Sequence, residues 1–337
     1  MAATMRDVAR HAGVSLATVS YVVNHGPRPV SDELRGRVLG VMRELGYAPA
    51  PRGRTRRRPL LFGALVPDAT NPFFATALGA AQEVLREQGH LLMVMSSGDD
   101  PEQEREQLQM LRRAGIEGLL FTPCGVIPPA TERQARAGTP VVLMDRDGGS
   151  QRLSRVTMDN YQSAFRAVRV LADCGHERIG LINGPEHVGT AAHRLRGYID
   201  ALTLARLHLR PEYMRCGPFH HEFGRQAARA LMSLPERPQA IFSSSAIFTA
   251  GLAEALHELG LRWPDDVALI GFGDAPWAGL LTPPLTIIDQ PSRELGGIAA
   301  RLLLEGGSSR PEHVVLDSRL IVRESHWKVS RPQEVAS

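Results

Sequence analysis

The first 47 residues constrain this chain most, because they hold three short segments of helical apolar spacing separated by helix breakers. Thr4, Ser15 and Ser31 precede the three segments, and their hydroxyls can accept hydrogen bonds from the free backbone N–H groups of a helix start. Gly13 and Gly46 follow the first and third segments, where glycine readily adopts the left-handed backbone that ends a helix. A glycine turn between two short helices predicts a helix-turn-helix unit.

Charge supports this prediction. Residues 1–59 hold eleven arginines against four acids, a net charge of +7, whereas the whole chain is +3, so the remainder is −4. A basic end on an otherwise ordinary chain is typical of nucleic-acid binding. The alternative is a small three-helix bundle with no DNA-binding role.

The rest of the chain has a different pattern. After the proline- and arginine-rich segment APAPRGRTRRRP, apolar runs such as LLFGALV, VVLM, IGLIN and VALIGF alternate with longer stretches of helical spacing. Apolar strands that alternate with helices favour parallel sheets covered on both faces. The runs are too many for one sheet, so the pattern predicts two lobes.

The motifs also resemble a known family. The run DVARHAGVSLATVSYVVN, with PRPVS and RELGYAP after it, resembles the lactose-repressor (LacI/GalR) family of bacterial transcription regulators. The blocks VPDATNPFF, VTMDN, GHERIGLINGP, RLRGY, GLRWPDDVALIGFGD and LLTPPLTIIDQP follow in the family's order. The resemblance implies a small all-α helix-turn-helix head and a bilobed α/β domain with parallel sheets, like that of periplasmic sugar-binding proteins. It also implies a homodimeric repressor that binds a palindromic double-stranded DNA operator and is modulated by a small-molecule effector.

This resemblance sets the expected domain bounds. We expect a DNA-binding domain at 1–48, a hinge or linker at 49–59, and an effector-binding and dimerisation domain at 60–337. Lobe 1 would span about 60–159 and 289–320, and lobe 2 about 160–288. The three expected crossings between lobes lie near Asp159-Asn160, near Ile288-Asp289-Gln290 and near Leu320.

The second helix is predicted to enter the major groove. Leu16, Ala17 and Tyr21 match the family positions that contact bases, and the first two can offer only apolar contacts, for instance to a thymine methyl. Packing in the core is the alternative for Leu16. Five further residues match family positions that contact phosphates: Thr18, Ser20, Asn24, Arg28 and Tyr47. For Thr18 and Ser20, a side chain that is merely solvated is the alternative. The predicted DNA-binding set is Arg6, Ser15, Leu16, Ala17, Thr18, Ser20, Tyr21, Asn24, Arg28, Tyr47, Arg54 and Arg56.

The linker departs from the family. Related proteins carry a hinge helix whose leucine wedges into the minor groove, and Arg56 stands at that position here. We therefore predict that Arg54, Arg56, Arg57 and Arg58 act as an electrostatic arm along the minor groove, which attracts arginine where it is narrow. A flexible solvated linker is the alternative.

A cleft between the lobes is the expected effector site. Arg194 is the expected anchor for a polar or anionic group, and Phe219 the expected apolar platform. Ser245-Ala246 and Gly273 stand where the family often has amide and acidic residues that bind sugar hydroxyls. The sequence therefore leaves three alternatives for the effector site: a sugar, a less hydroxylated or anionic ligand, or no ligand at all. The predicted effector-binding residues are Asn71, Phe73, Asp145, Asp159, Arg194, Phe219 and Ser245.

Other classes find little support in the sequence. No apolar run reaches the length of a membrane span, and no secretory signal is recognisable at the N-terminus, so we expect a cytoplasmic protein. Three scattered cysteines fit neither a disulfide framework nor a metal site, and nucleotide-binding and hydrolase motifs are missing. We expect no metal, no cofactor and no enzyme activity, and the run Asp145-Arg146-Asp147 resembles a surface charge cluster as much as a site. The alternative is a solute-binding protein or enzyme that uses the same α/β fold without binding DNA.

Overall fold

The structure, a computed structural model, describes residues 3–24, 30–47, 59–273, 277–306 and 310–327. The chain divides into two compact units, one ending at Arg58 and the other beginning at Pro59. Each unit has its own hydrophobic core, as the change in sequence pattern at the linker predicts.

The first unit contains the helices α1 (Met5–Ala12), α2 (Leu16–Asn24) and α3 (Asp32–Glu44). Its capping signals are confirmed: Thr4 and Asp7 form a reciprocal capping box, and Gly13 takes a left-handed backbone with φ of 62°. Helical spacing turns one face of each helix inward, which gives a small core. The fully or almost fully buried residues of this core are Val8, Ala9, Ala12, Val19, Val22, Val38 and Met42.

The second unit alternates strands and helices. Its strands are β1 (Leu61–Val66), β2 (Leu91–Ser96), β3 (Leu119–Phe121), β4 (Val141–Met144), β5 (Ser154–Met158), β6 (Ile179–Asn183), β7 (Met214–Cys216), β8 (Ala240–Ser243), β9 (Ala268–Phe272), β10 (Thr286–Asp289), β11 (His313–Leu316) and β12 (Arg319–Ile321). Its helices are α4 (Pro72–Glu87), α5 (Pro101–Arg113), α6 (Pro129–Arg136), α7 (Asn160–Asp173), α8 (Gly189–Leu204), α9 (His221–Met232), α10 (Ala246–Glu258) and α11 (Ser292–Leu304), with a short 3-10 helix at Pro211–Tyr213.

These strands form two sheets, one per lobe, which confirms the predicted bilobed architecture. The lobe 1 sheet has the order β11-β5-β4-β3-β1-β2, and every neighbouring pair in it is parallel. The lobe 2 sheet has the order β12-β10-β9-β8-β6-β7, and only its edge pair, β10 and β12, is antiparallel.

The central strands of each sheet are covered on both faces and are therefore apolar throughout, as in β1, β4 and β9. In β1, Phe62, Ala64 and Val66 point toward α4 and α11, while Leu65 points to the opposite face, where α5 packs. The helices α4 and α11 are in close contact at Gly296, where a Cβ atom would lie 1.9 Å from the carbonyl oxygen of Ala77.

The chain passes between the lobes three times, and these crossings shape the cleft. It leaves lobe 1 at Asp159, between β5 and α7, and returns after β10 at Gln290. The third crossing lies at Asp317–Ser318, because β11 belongs to the first sheet and β12 to the second. This crossing lies two to three residues before Leu320, which already pairs with Ile288 in the lobe 2 sheet.

Candidate DNA-binding and effector-binding sites

The start of α2 presents its side chains to solvent. Leu16 is 43% exposed, and Ser15 and Ala17 are exposed beside it, whereas Val19 and Val22 of the same helix are buried. The core-packing alternative for Leu16 is therefore wrong. An exposed leucine at the first turn of the second helix is free to contact a base edge in the major groove.

Ser15 determines where this helix begins. The backbone N–H of Thr18 donates to Ser15 Oγ over 3.1 Å, and the two hydroxyls lie 2.8 Å apart. The hydroxyl of Ser15 thus satisfies one of the free N–H groups at the helix start and fixes the direction of the exposed turn.

The other predicted DNA-binding residues are distributed as follows. Arg6 is exposed, and Thr18, Ser20, Tyr21 and Tyr47 are half-buried; Tyr47 packs against the small core. Asn24 is the last residue of α2, and Arg28, Arg54 and Arg56 lie outside the described residues.

In the second unit, a cavity of about 230 Å³ lies between the lobes. Six of the seven predicted effector residues line it: Asn71, Phe73 and Asp145 from lobe 1, and Arg194, Phe219 and Ser245 from lobe 2. Long-range packing thus brings together residues that are up to 174 positions apart, from Asn71 to Ser245.

Asp159 is the exception among the seven. It is the N-cap of α7, where its Oδ1 accepts a hydrogen bond from the backbone N–H of Gln162 over 2.9 Å. It lines a second chamber of the cleft, of about 770 Å³, instead of the cavity around Arg194.

Asn71 and Phe73 reach the cavity through the start of α4. Asn71 is the N-cap of this helix, and its Oδ1 accepts from the N–H of Phe73 over 3.1 Å. Phe73 therefore belongs to the first turn of this helix.

Arg194 is fixed in lobe 2 by several contacts and is only 5% exposed. Its Nε donates to Asn160 Oδ1 over 2.8 Å and its Nη1 to the carbonyl oxygen of Ser244 over 2.7 Å. Its guanidinium carbon lies 3.9 Å from the ring centroid of Phe272. Burial lowers the pKa of Arg194 to about 10, and the nearby carboxylate of Asp145 opposes that shift.

Asp145 faces Arg194 from lobe 1. It is 7% exposed, has a left-handed backbone with φ of 68°, and its Oδ1 is buried without a hydrogen-bond partner in the described part of the chain. Burial raises the pKa of Asp145, while the positive charges of Arg194 and Arg146 act in the opposite direction. A buried acceptor without a partner, on the wall of a cavity, is suited to accept a hydrogen bond from a ligand.

Arg146 is a site residue that the sequence interpretation did not include. It is 6% exposed and forms a bidentate ion pair with Asp99, with distances of 2.5 Å from Nη1 to Oδ1 and 3.2 Å from Nη2 to Oδ2. Its guanidinium carbon lies 5.5 Å from the ring centroid of Phe219 in the other lobe. The surface-cluster interpretation is therefore wrong for Asp145 and Arg146; the signal was their position directly after the buried strand β4.

Phe219 has little room to move. Its ring stacks on Phe248 at a centroid distance of 5.3 Å and an interplanar angle of 8°, and a Cβ at Gly184 would lie 2.2 Å from its Cζ. A glycine at position 184 is therefore needed for the ring to reach the cavity wall.

Gly273, which stands where the family often has an acidic residue, lies in a place with little room for a side chain. Gly273 has φ of 90°, and a Cβ there would lie 3.1 Å from Gln290 Oε1 and 3.2 Å from the Cβ of Ala246. Gln290, which the sequence named only as a crossing residue, lines the cavity beside this position. A side chain at position 273 would be strained and would displace the Gln290 amide.

A buried carboxyl group supports the lobe 1 wall. Glu104 is 3% exposed, and its Oε2 accepts from the backbone N–H of Cys124 over 2.6 Å. Burial raises the pKa of Glu104, while this hydrogen bond and the charge of Arg146 lower it. The Sγ of Cys124 lies 3.2 Å from the Oγ of Ser97, and burial raises the pKa of the Cys124 thiol to about 12.

Neither a membrane span nor a metal cluster is present within the described ranges. No helix there combines the length and apolar character needed to cross a bilayer. Nor do three or more histidine, cysteine or acidic side chains meet there in a group that could hold a metal ion.

Comparison with known proteins matches both units. Residues 4–50 match the description "Bacterial regulatory proteins, lacI family", and residues 60–321 match "Periplasmic binding proteins and sugar binding domain of LacI family". The ribose operon repressor of Haemophilus influenzae is 33% identical over 97% of this chain and 99% of its own. The HTH-type transcriptional repressor CytR of Escherichia coli is 34% identical over 96% of both chains. The regulator CelR, solved in complex with cellobiose, is 29% identical, with a TM-score of 0.71 over 96% of this chain and 99% of its own.

A helix-turn-helix unit followed by a bilobed domain with a cavity between its lobes defines a class of DNA-binding transcription regulators. Both parts match one family along most of the chain. The protein therefore belongs to the LacI family of bacterial regulatory proteins, and it is a regulator and not an enzyme.

Proposed function

We propose that the protein is a homodimeric repressor that binds a palindromic operator and responds to a small molecule bound between its lobes. The observation that carries the proposal is the exposed first turn of α2, where Leu16 projects from a capped helix in a helix-turn-helix unit. Because its relatives are named as repressors, repression is the mode we propose. A DNA-binding regulator shares a compartment with its DNA, so the proposal includes a cytoplasmic location.

Within this proposal, the residues of the first unit have two roles. Leu16 and Ala17 contact base edges, since both are exposed at the start of α2. Tyr21, half-buried one turn beyond Ala17, also contacts a base edge, because its phenol can donate or accept a hydrogen bond. Polar and basic side chains around them contact phosphates and set the register of the helix on the duplex. We assign this second role to Arg6, Ser15, Thr18, Ser20, Asn24, Arg28 and Tyr47.

The linker proposal rests on the sequence alone. Arg54 and Arg56 carry positive charge where the family places a leucine wedge, so we propose that they lie along the minor groove without unstacking the bases. A structure of the DNA complex tests this: an unkinked central step supports the arm, and side chains wedged between base pairs would contradict it.

Dimerisation is supported by an exposed apolar edge of lobe 1. The edge strand β2 carries Leu91, Met93 and Val94 with 61%, 37% and 41% exposure, and Met110 of α5 is 55% exposed. An uncovered apolar strand edge is unusual in a monomer, because it can pair with other chains. We propose that a second copy of the chain covers this edge, so that the dimer presents two DNA-binding units.

We propose that the effector is a sugar or a sugar-containing molecule. Asp145 offers an unpartnered acceptor and Arg194 a buried donor group on opposite walls, which suits vicinal hydroxyls. Phe219 offers an apolar ring on which a sugar face can pack. Relatives named for ribose and solved with cellobiose support this class over an anionic ligand or an unliganded pocket.

Selection of bound sequences from random duplex DNA is the experiment that tests the function. We expect enrichment of an inverted repeat whose half-sites are about one helical turn apart. With about 6–10 phosphate contacts, operator affinity should fall by roughly 10³–10⁵ between about 50 and 200 mM salt. Failure to enrich any sequence at low salt would contradict the proposal.

A further inference from the structure

The cleft contains a second chamber that no predicted role accounts for. This chamber of about 770 Å³ adjoins the cavity of about 230 Å³, and both are lined by Asp145, Arg146 and Thr190. Ligand cavities commonly enclose about 300–1,000 Å³, so the first cavity is small for a drug-sized ligand and the second is not.

The walls of the second chamber include apolar side chains that are unusually open to solvent. Val126, in the loop after β3, is 87% exposed, and Val315, on β11, is 62% exposed. Both line this chamber, as does the half-buried ring of Tyr161. Single exposed valines are common on surfaces, but two that face one chamber beside a tyrosine ring form a surface on which a ligand ring can pack.

The lobe 2 wall of the chamber is polar. The helix α8 begins there, and its N-cap, Val188, has no side chain that can cap the helix, so the first-turn N–H groups can donate to a ligand. His187 and His193 stand exposed on either side of this helix start. The chamber therefore offers exposed valines beside charged side chains, among them Asp147 and Arg155, from lobe 1, and hydrogen-bonding groups from lobe 2.

Asp145 is one of three residues that line both spaces, together with Arg146 and Thr190. Its side chain is more than nine-tenths buried, and its Oδ1 has no hydrogen-bond partner within the described chain. An acceptor in this place fits a ligand that passes from one space into the other and carries a hydroxyl group where they meet.

We infer that the effector has two linked rings: a sugar ring in the cavity beside Arg194, and a second ring, sugar or base, in the chamber beside Val126 and Val315. The inference rests on the proposed function and specifies its ligand class as a glycoside or nucleoside and not a free monosaccharide. Asp145 accepts a hydrogen bond from the sugar ring near the linkage. The second ring packs on the valines and hydrogen-bonds to the start of α8.

Calorimetric titration of the full chain with ribose, cellobiose, adenosine and uridine tests this inference. We expect at least one two-ring probe to bind at least tenfold more tightly than ribose. Val126→Asp and His193→Ala should each weaken that probe by about tenfold or more and leave ribose unchanged, because they alter only the second chamber. Cellobiose against the nucleosides tells whether the second ring is a sugar or a base.

The matched control is Leu204→Asp, because Leu204 is 62% exposed at the far end of α8, away from the cleft. It should change no affinity. Three results would show that the inference is wrong. Ribose could bind as tightly as every two-ring probe, or none of the four probes could bind. Alternatively, both chamber variants could bind the two-ring probe as tightly as the wild type does. Operator binding measured on the same samples is independent of these results, so the regulator assignment would stand or fall separately.

Discussion

Asp145 of lobe 1 and Arg194 of lobe 2 face each other across the cavity, and each favours the charged form of the other. No ion pair closer than 4 Å links them, so the carboxylate keeps an unpartnered oxygen. Two buried opposite charges that do not neutralise each other by direct contact leave hydrogen-bonding capacity for a ligand placed between the lobes.

The substitution Asp145→Asn should separate ligand affinity from stability. Asparagine keeps an acceptor oxygen but not the charge. Since hydrogen bonds to charged groups contribute about 1.5–3 kcal/mol and neutral ones about 0.5–1.5 kcal/mol, sugar affinity should fall by roughly 5- to 15-fold. Because burial raises the pKa of Asp145, the ionised group destabilises the fold, and the melting temperature should not fall. Calorimetry and thermal unfolding measure the two effects. Asp173→Asn, with a mostly exposed side chain at the end of α7, is the control; a lower melting temperature with unchanged affinity would contradict this role.

Glu104→Gln should show a pH-dependent effect on stability. Burial raises the pKa of Glu104, so the folded state binds this proton more tightly than the unfolded state does. The resulting stabilisation is present below the ordinary value of 4.5 and is lost as the pH rises through the raised pKa. Glutamine keeps an acceptor for the Cys124 N–H and carries no charge.

Thermal unfolding of both proteins at about pH 5 and about pH 8 measures this effect. The variant should gain in melting temperature relative to the wild type as the pH increases. Glu106→Gln, on the exposed side of the same helix, should show no such trend. A variant that loses stability relative to the wild type toward high pH would show that the carboxylate is favoured in its ionised form.

Leu16→Ala should weaken operator binding without unfolding the first unit. Leu16 is 43% exposed, so its truncation leaves the core intact. The lost apolar contact, at about 0.8 kcal/mol for each buried carbon removed, should lower affinity by roughly 4- to 60-fold. Leu39→Ala is a matched control, because Leu39 is 41% exposed on α3 of the same unit. Fluorescence anisotropy with the selected operator measures both. Equal affinity losses in the two variants would argue against base contact by Leu16.

Leu91→Glu should convert the dimer to a monomer. Leu91 is 61% exposed at the start of the edge strand β2, and a charge placed in an apolar interface is strongly unfavourable. Light scattering should show half the mass, and operator affinity should fall by roughly 10²-fold or more, since two linked binding units reinforce each other. Leu204→Glu should remain dimeric; a Leu91→Glu variant that also remains dimeric would place the interface elsewhere.

The sequence by itself determined the local features of this protein. The capping box of Thr4 and Asp7, the left-handed Gly13 and the apolar strands follow from hydrogen bonds and side-chain periods that span only a few residues. Family motifs then placed six side chains on one cavity, although Asp159 caps α7 and borders the neighbouring chamber.

Only the tertiary structure decided how distant groups meet. The ion pair of Asp99 and Arg146 joins residues 47 positions apart, and Arg146 then approaches Phe219 of the other lobe. Such contacts depend on which loops the two sheets bring to the cleft, and no local period encodes that. The exposure of Leu16 and the strand partner of Leu320 also depend on tertiary packing. Both are decided by what lies across the core and not by neighbours in sequence.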